Sequence, residues 1–445
     1  MALTSKMDTP EKNRAPFSAA LALVIGNMIG TGVFVSLGFQ AGDMPSGFVI
    51  ALLWLTGGVL AFCGAVNYAE LTAAFPKSGG EYQLLSQVYH PGVGFVSGWV
   101  SFIAGFPAPV ALNALLIGGY VCSIFGVESG FMEKAVAASV VIMVTGAHLI
   151  SVSFSGRFQS ISTALKVLLV AALAVSGFLI PEGQPVSFLP RSGDGKLIWQ
   201  MAFFNSLVYV LYAYSGWNAA CYVAGEIKNP GRNVPRALLL GTGIVTLLYI
   251  AVNAAMIYCT PVAELAAAGP EAARVAAGRI FGPAGGALIA GLIGLGLISS
   301  ISAMTWAGPR VTQQVGQDFP QLSWLARTSP SSVPVTAVGL QCLMALVLVL
   351  SGDVQQLIDR TIFLLEVMTL LTVFGVVHLR SFRPQIERPL KAWGYPFTTI
   401  LYLAMVGWTM AVLLRNKPEE TRSGLLLLLV GAMIYFAVRP KPNKA

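Results

Sequence analysis

Residues 17–39 form an apolar run long enough to cross a bilayer. Its middle reads Val24-Ile25-Gly26-Asn27-Met28-Ile29-Gly30-Thr31-Gly32-Val33-Phe34, so glycines and polar side chains sit where a span should be most oily. Each glycine weakens a helix by about 0.5–1 kcal/mol relative to alanine, and clustering them makes an unwound turn an economical outcome. Backbone freed from helical hydrogen bonds is not tolerated against lipid; it must be buried in protein or line a wet cavity. Broken helices of this kind can present amides and carbonyls to a charged solute. The competing reading is a small-residue packing face, because Gly26 and Gly30 also spell GxxxG.

Eleven more apolar segments follow, near 47–74, 92–122, 133–152, 158–180, 202–225, 237–259, 284–307, 334–350, 360–378, 395–414 and 423–438. With 56% hydrophobic and only 10% charged residues, the chain is expected to be an all-α polytopic membrane protein of twelve transmembrane helices. No cleavable leader is expected, since residues 1–16 are polar and a full span follows directly. The net charge of +8 is spread over short loops and is not a nucleic-acid footprint. Placing the N-terminus inside puts about twice as many lysines and arginines in the cytoplasm as outside, which predicts cytoplasmic termini. Cys63, Cys122, Cys221, Cys259 and Cys342 are scattered without a CxxC, and His90, His148 and His378 are dispersed. Neither set suggests a disulfide frame or a metal site, and no cofactor is expected.

The sixth segment repeats the peculiarity of the first. Its middle is Tyr212-Ala213-Tyr214-Ser215-Gly216-Trp217-Asn218-Ala219-Ala220. Segments one and six lie five spans apart and therefore cross in opposite directions. Interrupted spans at matching places in two halves point to an inverted repeat with a central binding site. An unbroken helix using Ser215 and Asn218 for interhelical hydrogen bonds is the alternative.

Gly26-Asn27-Met28-Ile29-Gly30-Thr31-Gly32-Val33-Phe34 resembles the first-helix signature of amino acid–polyamine–organocation transporters. Further stretches are similar to that family's motifs in order and spacing: Tyr68-Ala69-Glu70-Leu71, Phe75-Pro76-Lys77-Ser78-Gly79-Gly80-Glu81-Tyr82, Gly94-Phe95-Val96-Ser97-Gly98-Trp99, Gly225-Glu226-Ile227-Lys228-Asn229-Pro230, Arg232-Asn233-Val234-Pro235-Arg236 and Ala307-Gly308-Pro309-Arg310. They cover roughly residues 17–320. Ala213-Tyr214-Ser215-Gly216-Trp217-Asn218 looks most like the L-type amino acid transporters and their bacterial relatives. The resemblance implies a LeuT-like five-plus-five inverted repeat, with repeats at 17–180 and 202–378. Two more helices at 395–438 and cytoplasmic tails at 1–16 and 439–445 complete the expected layout. Helices 1 and 6 are expected to be discontinuous.

The same resemblance implies roles. An amino acid is a zwitterion whose carboxylate needs donors and whose ammonium needs acceptors. The Thr31 hydroxyl and Gly32 amide would hold the carboxylate, at the positive end of a half-helix, with Gly30 allowing close approach. The carbonyls of Met28, Tyr212 and Ser215 would accept from the ammonium. Tyr212 stands where relatives place an aromatic gate; it can equally be a packing tyrosine. Asn218 stands where some exchangers of cationic substrates have a glutamate. Neither break contains an acid, and an unpaired buried cation costs several kcal/mol, which favours neutral substrates. Glu366, in the tenth segment, keeps a cationic or polyamine substrate open, with a structural ion pair or hydrogen bond as the alternative. Lys166 is the one ionisable residue of the fifth segment and can snorkel to the interface. The resemblance instead implies an ammonium in place of a coupling sodium ion, contacting the Gly26 carbonyl, with Ser299, Ser300 and Ser302 as candidate neighbours.

The expected function is therefore sodium-independent secondary transport of neutral L-amino acids across the cell (inner) membrane, by exchange, with proton symport as the alternative. Beyond substrate and lipid, no nucleic acid and no obligatory partner chain are expected. An embedded enzyme would want HExxH, GxSxG or paired intramembrane acids, and none is present. A sensor would want a soluble output domain, for which these tails leave no room.

Overall fold

The computed structural model describes residues 14–439 apart from 31, 128, 182, 283–284 and 352–353; the side chains of 35, 270, 286–290, 292, 295, 354–360 and 420 also lie outside the described set. The first apolar segment is split into α1 (Phe17–Met28) and α2 (Gly32–Asp43), bent by 44° from one another. The chain continues through α3 (Gly47–Ala74), α4 (Gly80–Val88), α5 (Pro91–Val100), α6 (Pro107–Phe125), α7 (Gly130–His148), α8 (Val152–Phe178) and the short α9 (Asp194–Ile198). The second half holds α10 (Met201–Tyr214), α11 (Ala219–Tyr222), α12 (Pro230–Cys259), α13 (Val262–Ala268), α14 (Ala272–Phe281) and α15 (Gly285–Asp318). It ends with α16 (Val335–Ser351), α17 (Val354–Phe382), α18 (Phe397–Asn416) and α19 (Pro418–Val438). No strand occurs among the described residues beyond one isolated bridge between Ala15 and Ile227.

Every one of the twelve expected segments coincides with helix. Among the described residues eight helices are long and apolar enough to cross a bilayer, or nine with the bent pair α1–α2 taken as one span. Two of the expected spans are covered by shorter apolar helices, α10 and α16. α10 stops at 14 residues because the chain unwinds after Tyr214. α8 starts at Val152, six residues before the expected fifth segment: Ser151 caps it by accepting from the Phe154 amide at 3.1 Å, a start that hydropathy alone misses.

α1, α3, α8, α12 and α15 enclose the core, and α19 lies at the rim. The core includes Leu23, Leu53, Trp54, Val245 and Trp306, each fully buried, whereas Leu425, Leu426 and Leu429 on α19 are exposed. Apolar side chains facing outward are what a lipid-facing surface requires. All five cysteines are free.

Candidate functional site

At the first break, α1 runs out of helical partners. Its last regular bond is the Ile29 amide to the Ile25 carbonyl at 3.0 Å, after which Ile29 turns to φ −73°, ψ 91°. The carbonyls of a helix's last turn are then orphaned, and burial makes an orphan costly. Side chains from three other helices satisfy them. Lys166 on α8 donates from Nζ to Gly26 O at 3.0 Å, Ile29 O at 2.5 Å and Ser300 Oγ at 2.7 Å. Ser300 on α15 lies 3.2 Å from Gly26 O and 2.9 Å from Ile29 O. Tyr249 on α12 donates to Met28 O at 2.7 Å. A cation at the negative end of a helix dipole is the favourable arrangement. Lys166 is 3% exposed and does not snorkel.

Only one of the three candidate serines meets the ammonium. Ser299 faces Thr163 Oγ1 at 3.0 Å, and Ser302 lies 2.9 Å from His148 Nε2. On an α-helix adjacent residues are rotated by about 100° from one another, so Ser299, Ser300 and Ser302 address different neighbours. Gln159 and Thr163 extend the polar contact along α1: both donate to Ala22 O, at 3.4 and 3.0 Å. Together with Lys166 they form an i, i+4, i+7 stripe on α8. That stripe is visible in the sequence to anyone counting polar residues at helical spacing.

At the second break, α10 ends with Ser215 N donating to Tyr212 O at 3.0 Å. Gly216 then takes φ +92°, a conformation that side-chain-bearing residues rarely adopt. The two breaks touch. Asn27 Nδ2 donates to Gly216 O at 3.2 Å. The Tyr249 hydroxyl, already on Met28 O, lies 3.0 Å from Ala213 O; its single proton is shared between a carbonyl of each break. Trp54, Tyr214 and Tyr249 pack as an aromatic cluster behind it, with ring centroids 5.0–6.0 Å apart.

The sequence-predicted residues divide between two spaces. Gly30 and Lys166 border a cavity of about 20 Å3, enough for one or two waters at ~10–15 Å3 each. Tyr212, Ser215 and Asn218 line a larger cavity of about 140 Å3, which α1 reaches only through Asn27. Met28 is buried with its carbonyl on Tyr249, so it borders neither. Thr31 lies outside the described residues. The backbone at Gly32 faces α10: a Cβ there would meet Ala213 Cβ and Cα at 2.7 and 2.8 Å. Bulk at Gly32 therefore disturbs helix packing before it reaches any solute, and a valine there cannot isolate a binding defect.

Acids arrive at the larger cavity from outside both breaks. Glu81 comes from the N-terminal turn of α4 and Glu366 from α17. Glu81 is held by the Tyr68 hydroxyl at 2.5 Å, Asn218 Nδ2 at 3.1 Å and Thr369 Oγ1 at 3.4 Å. The absence of acid from the breaks is thus not an absence from the cavity, because residues far apart in sequence supply its walls. Asn218 is engaged with Glu81 rather than standing free. No group of three or more potential metal ligands occurs among the described residues.

Two quoted motifs prove to be partners. Arg310 Nε and Glu226 Oε1 lie 2.7 Å apart with both side chains buried, and Trp306 Nε1 donates to Glu226 Oε2 at 2.8 Å. The Glu226 carbonyl accepts from Ala15 N at 2.7 Å, tying the entry of α1 to the same cluster.

Helices broken against one another around a buried cavity, in a chain of apolar spans, define a polytopic membrane carrier. The amino acid permease family model matches residues 16–437, and the chain belongs to that family, within the amino acid–polyamine–organocation superfamily. It is similar to the serine/threonine exchanger SteT of Bacillus subtilis (strain 168), 29% identical over 425 residues covering 95% of this chain and 96% of that one. It is 28% identical to b(0,+)-type amino acid transporter 1 of Homo sapiens over 428 residues, 94% and 86% of the two chains. With the large neutral amino acids transporter small subunit 2 of Mus musculus the identity is 27%, over 94% and 79%. The family and these relatives are transporters, so the chain is an amino acid transporter and not an enzyme.

Proposed function

We propose that this protein exchanges neutral L-amino acids across the cell (inner) membrane by alternating access, without sodium, as twelve spans arranged in repeats 17–180 and 202–378 with two further helices at 395–438. Both termini are cytoplasmic in this reading. The observation that carries it is the pair of mutually pinned breaks beside the larger cavity. Backbone there is not committed to a ladder, and the exposed Ser215 leaves its carbonyl without an internal hydrogen-bond donor among the described residues. Such backbone can recognise the common zwitterionic head group while the cavity walls choose the side chain. Thr31, Gly30 and the Gly32 amide remain the proposed carboxylate contacts, reached when α2 swings relative to α10. The carbonyls of Met28 and Tyr212 would each need their second lone pair to take the ammonium, since the first is in use.

Exchange, rather than proton symport, is favoured by Lys166. All three of its ammonium protons have partners at 2.5–3.0 Å, which suits a fixed cation that replaces a sodium ion in every state. The name of the mouse relative describes a subunit, and our reading is that this chain acts without an obligatory partner. Reconstituting the purified chain alone tests that together with the transport mode: labelled serine should enter sodium-free liposomes only in trade for amino acid inside.

A further inference from the structure

The larger cavity has an excess of unmet acceptors. Among the described residues, Glu366 Oε2 is enclosed by protein without a hydrogen-bond partner, and Asn27 Oδ1, on the same cavity wall, has none either. The orientation of the Asn27 amide is fixed by its other end, which donates to Gly216 O. The neighbouring carboxylate, Glu81, is already served by three donors. The described cations with close partners are engaged elsewhere: Lys166 with α1 and Ser300, Arg310 with Glu226, and Arg380 with Glu70. A buried carboxylate oxygen left without a donor is costly. Glu366 Oε2 and Asn27 Oδ1 both border the larger cavity, the space a solute would fill.

We infer that Glu366 is the side-chain specificity residue of the cavity and receives the terminal ammonium or guanidinium of a basic amino acid, with Asn27 Oδ1 as a second acceptor. This rests on the transport reading above and extends its substrate range from neutral to basic side chains. A cation with several protons can donate to more than one acceptor, whereas an apolar side chain of equal length donates to none. A neutral substrate leaves Glu366 to take a proton or a water instead. Tyr402 and Thr361 also border the space and would flank the aliphatic stem.

The test compares L-lysine with L-norleucine, which has an unbranched aliphatic side chain but no ammonium, as competitors of labelled serine counterflow in proteoliposomes. Wild type should prefer lysine by at least tenfold. Glu366→Gln should lower the lysine-to-norleucine ratio at least tenfold, and Glu366→Asp should keep part of the preference. Equal loss of both ligands in the Gln variant would place the α-ammonium on Glu366 and overturn the assignment. No lysine preference in wild type, or an unchanged ratio in the variant, would overturn it too. The shift of melting temperature in detergent caused by each ligand supplies the same ratio without transport. If serine counterflow fails in wild type while lysine still stabilises the protein more than norleucine, the exchange reading fails and this one stands.

Discussion

Replacing Lys166 by methionine keeps most of the aliphatic volume and removes the ammonium. Three hydrogen bonds at 2.5–3.0 Å are lost. Ser300 remains near both Gly26 O and Ile29 O, but a hydroxyl has one proton and can satisfy only one of them. At least one buried carbonyl is therefore orphaned, at about 1–3 kcal/mol. The favourable placement of a cation at the C-terminal end of α1 goes as well, worth up to ~2 kcal/mol in a partly buried setting. Relief from burying an ammonium offsets part of this, leaving a net cost of about 2–4 kcal/mol for holding the break. At ~1.4 kcal/mol per tenfold, the exchange rate should fall about 30- to 1,000-fold. Serine counterflow in proteoliposomes measures it, with variant and wild type matched for reconstituted protein. A Lys166→Met rate within threefold of wild type, at unchanged melting temperature, would refute the reasoning and leave the lysine a dispensable cap.

Tyr249→Phe removes only the hydroxyl shared between Met28 O and Ala213 O. It should lower stability by about 1–3 kcal/mol, read as a lower melting temperature in detergent, and an unchanged value would mean the two breaks are not pinned through this residue. Gly32→Ala should cost about 1–3 kcal/mol by overpacking against Ala213; the same thermal measurement on Gly32→Ala with Ala213→Gly should recover most of it, and no recovery would place the clash elsewhere.

Both breaks were legible because glycine and polar residues inside an apolar run contradict an ordinary span. The Lys166 contact with Gly26 was legible through the resemblance, as a lone ionisable residue in a segment expected to pack on the first. Choosing Ser300 over its neighbours was not, since that depends on the rotation of α15 about its axis, which no local pattern in Ser299-Ser300-Ile301-Ser302 fixes. The cavity walls were the least legible part. Glu81 follows two glycines in a connecting stretch and reads as loop chemistry; only folding carries it onto Asn218 and Tyr68. Tyr249 did leave a signal, a hydroxyl-bearing aromatic in the middle of the apolar run of α12, where a buried phenol needs an acceptor. Glu226 and Arg310 were each visible as motif residues, but their pairing spans 84 positions and has no sequence period to betray it.

The central claim is that these two breaks form a sodium-independent exchanger of amino acids, and sodium-free counterflow tests it most directly. Purified protein is reconstituted into liposomes in choline buffer, with unlabelled L-serine inside or absent, and labelled L-serine is added outside. The account predicts uptake at least tenfold faster into serine-loaded vesicles than into empty ones, unaffected by adding sodium. Uptake that requires external sodium, or that fills empty vesicles equally well under an inward proton gradient, would contradict it.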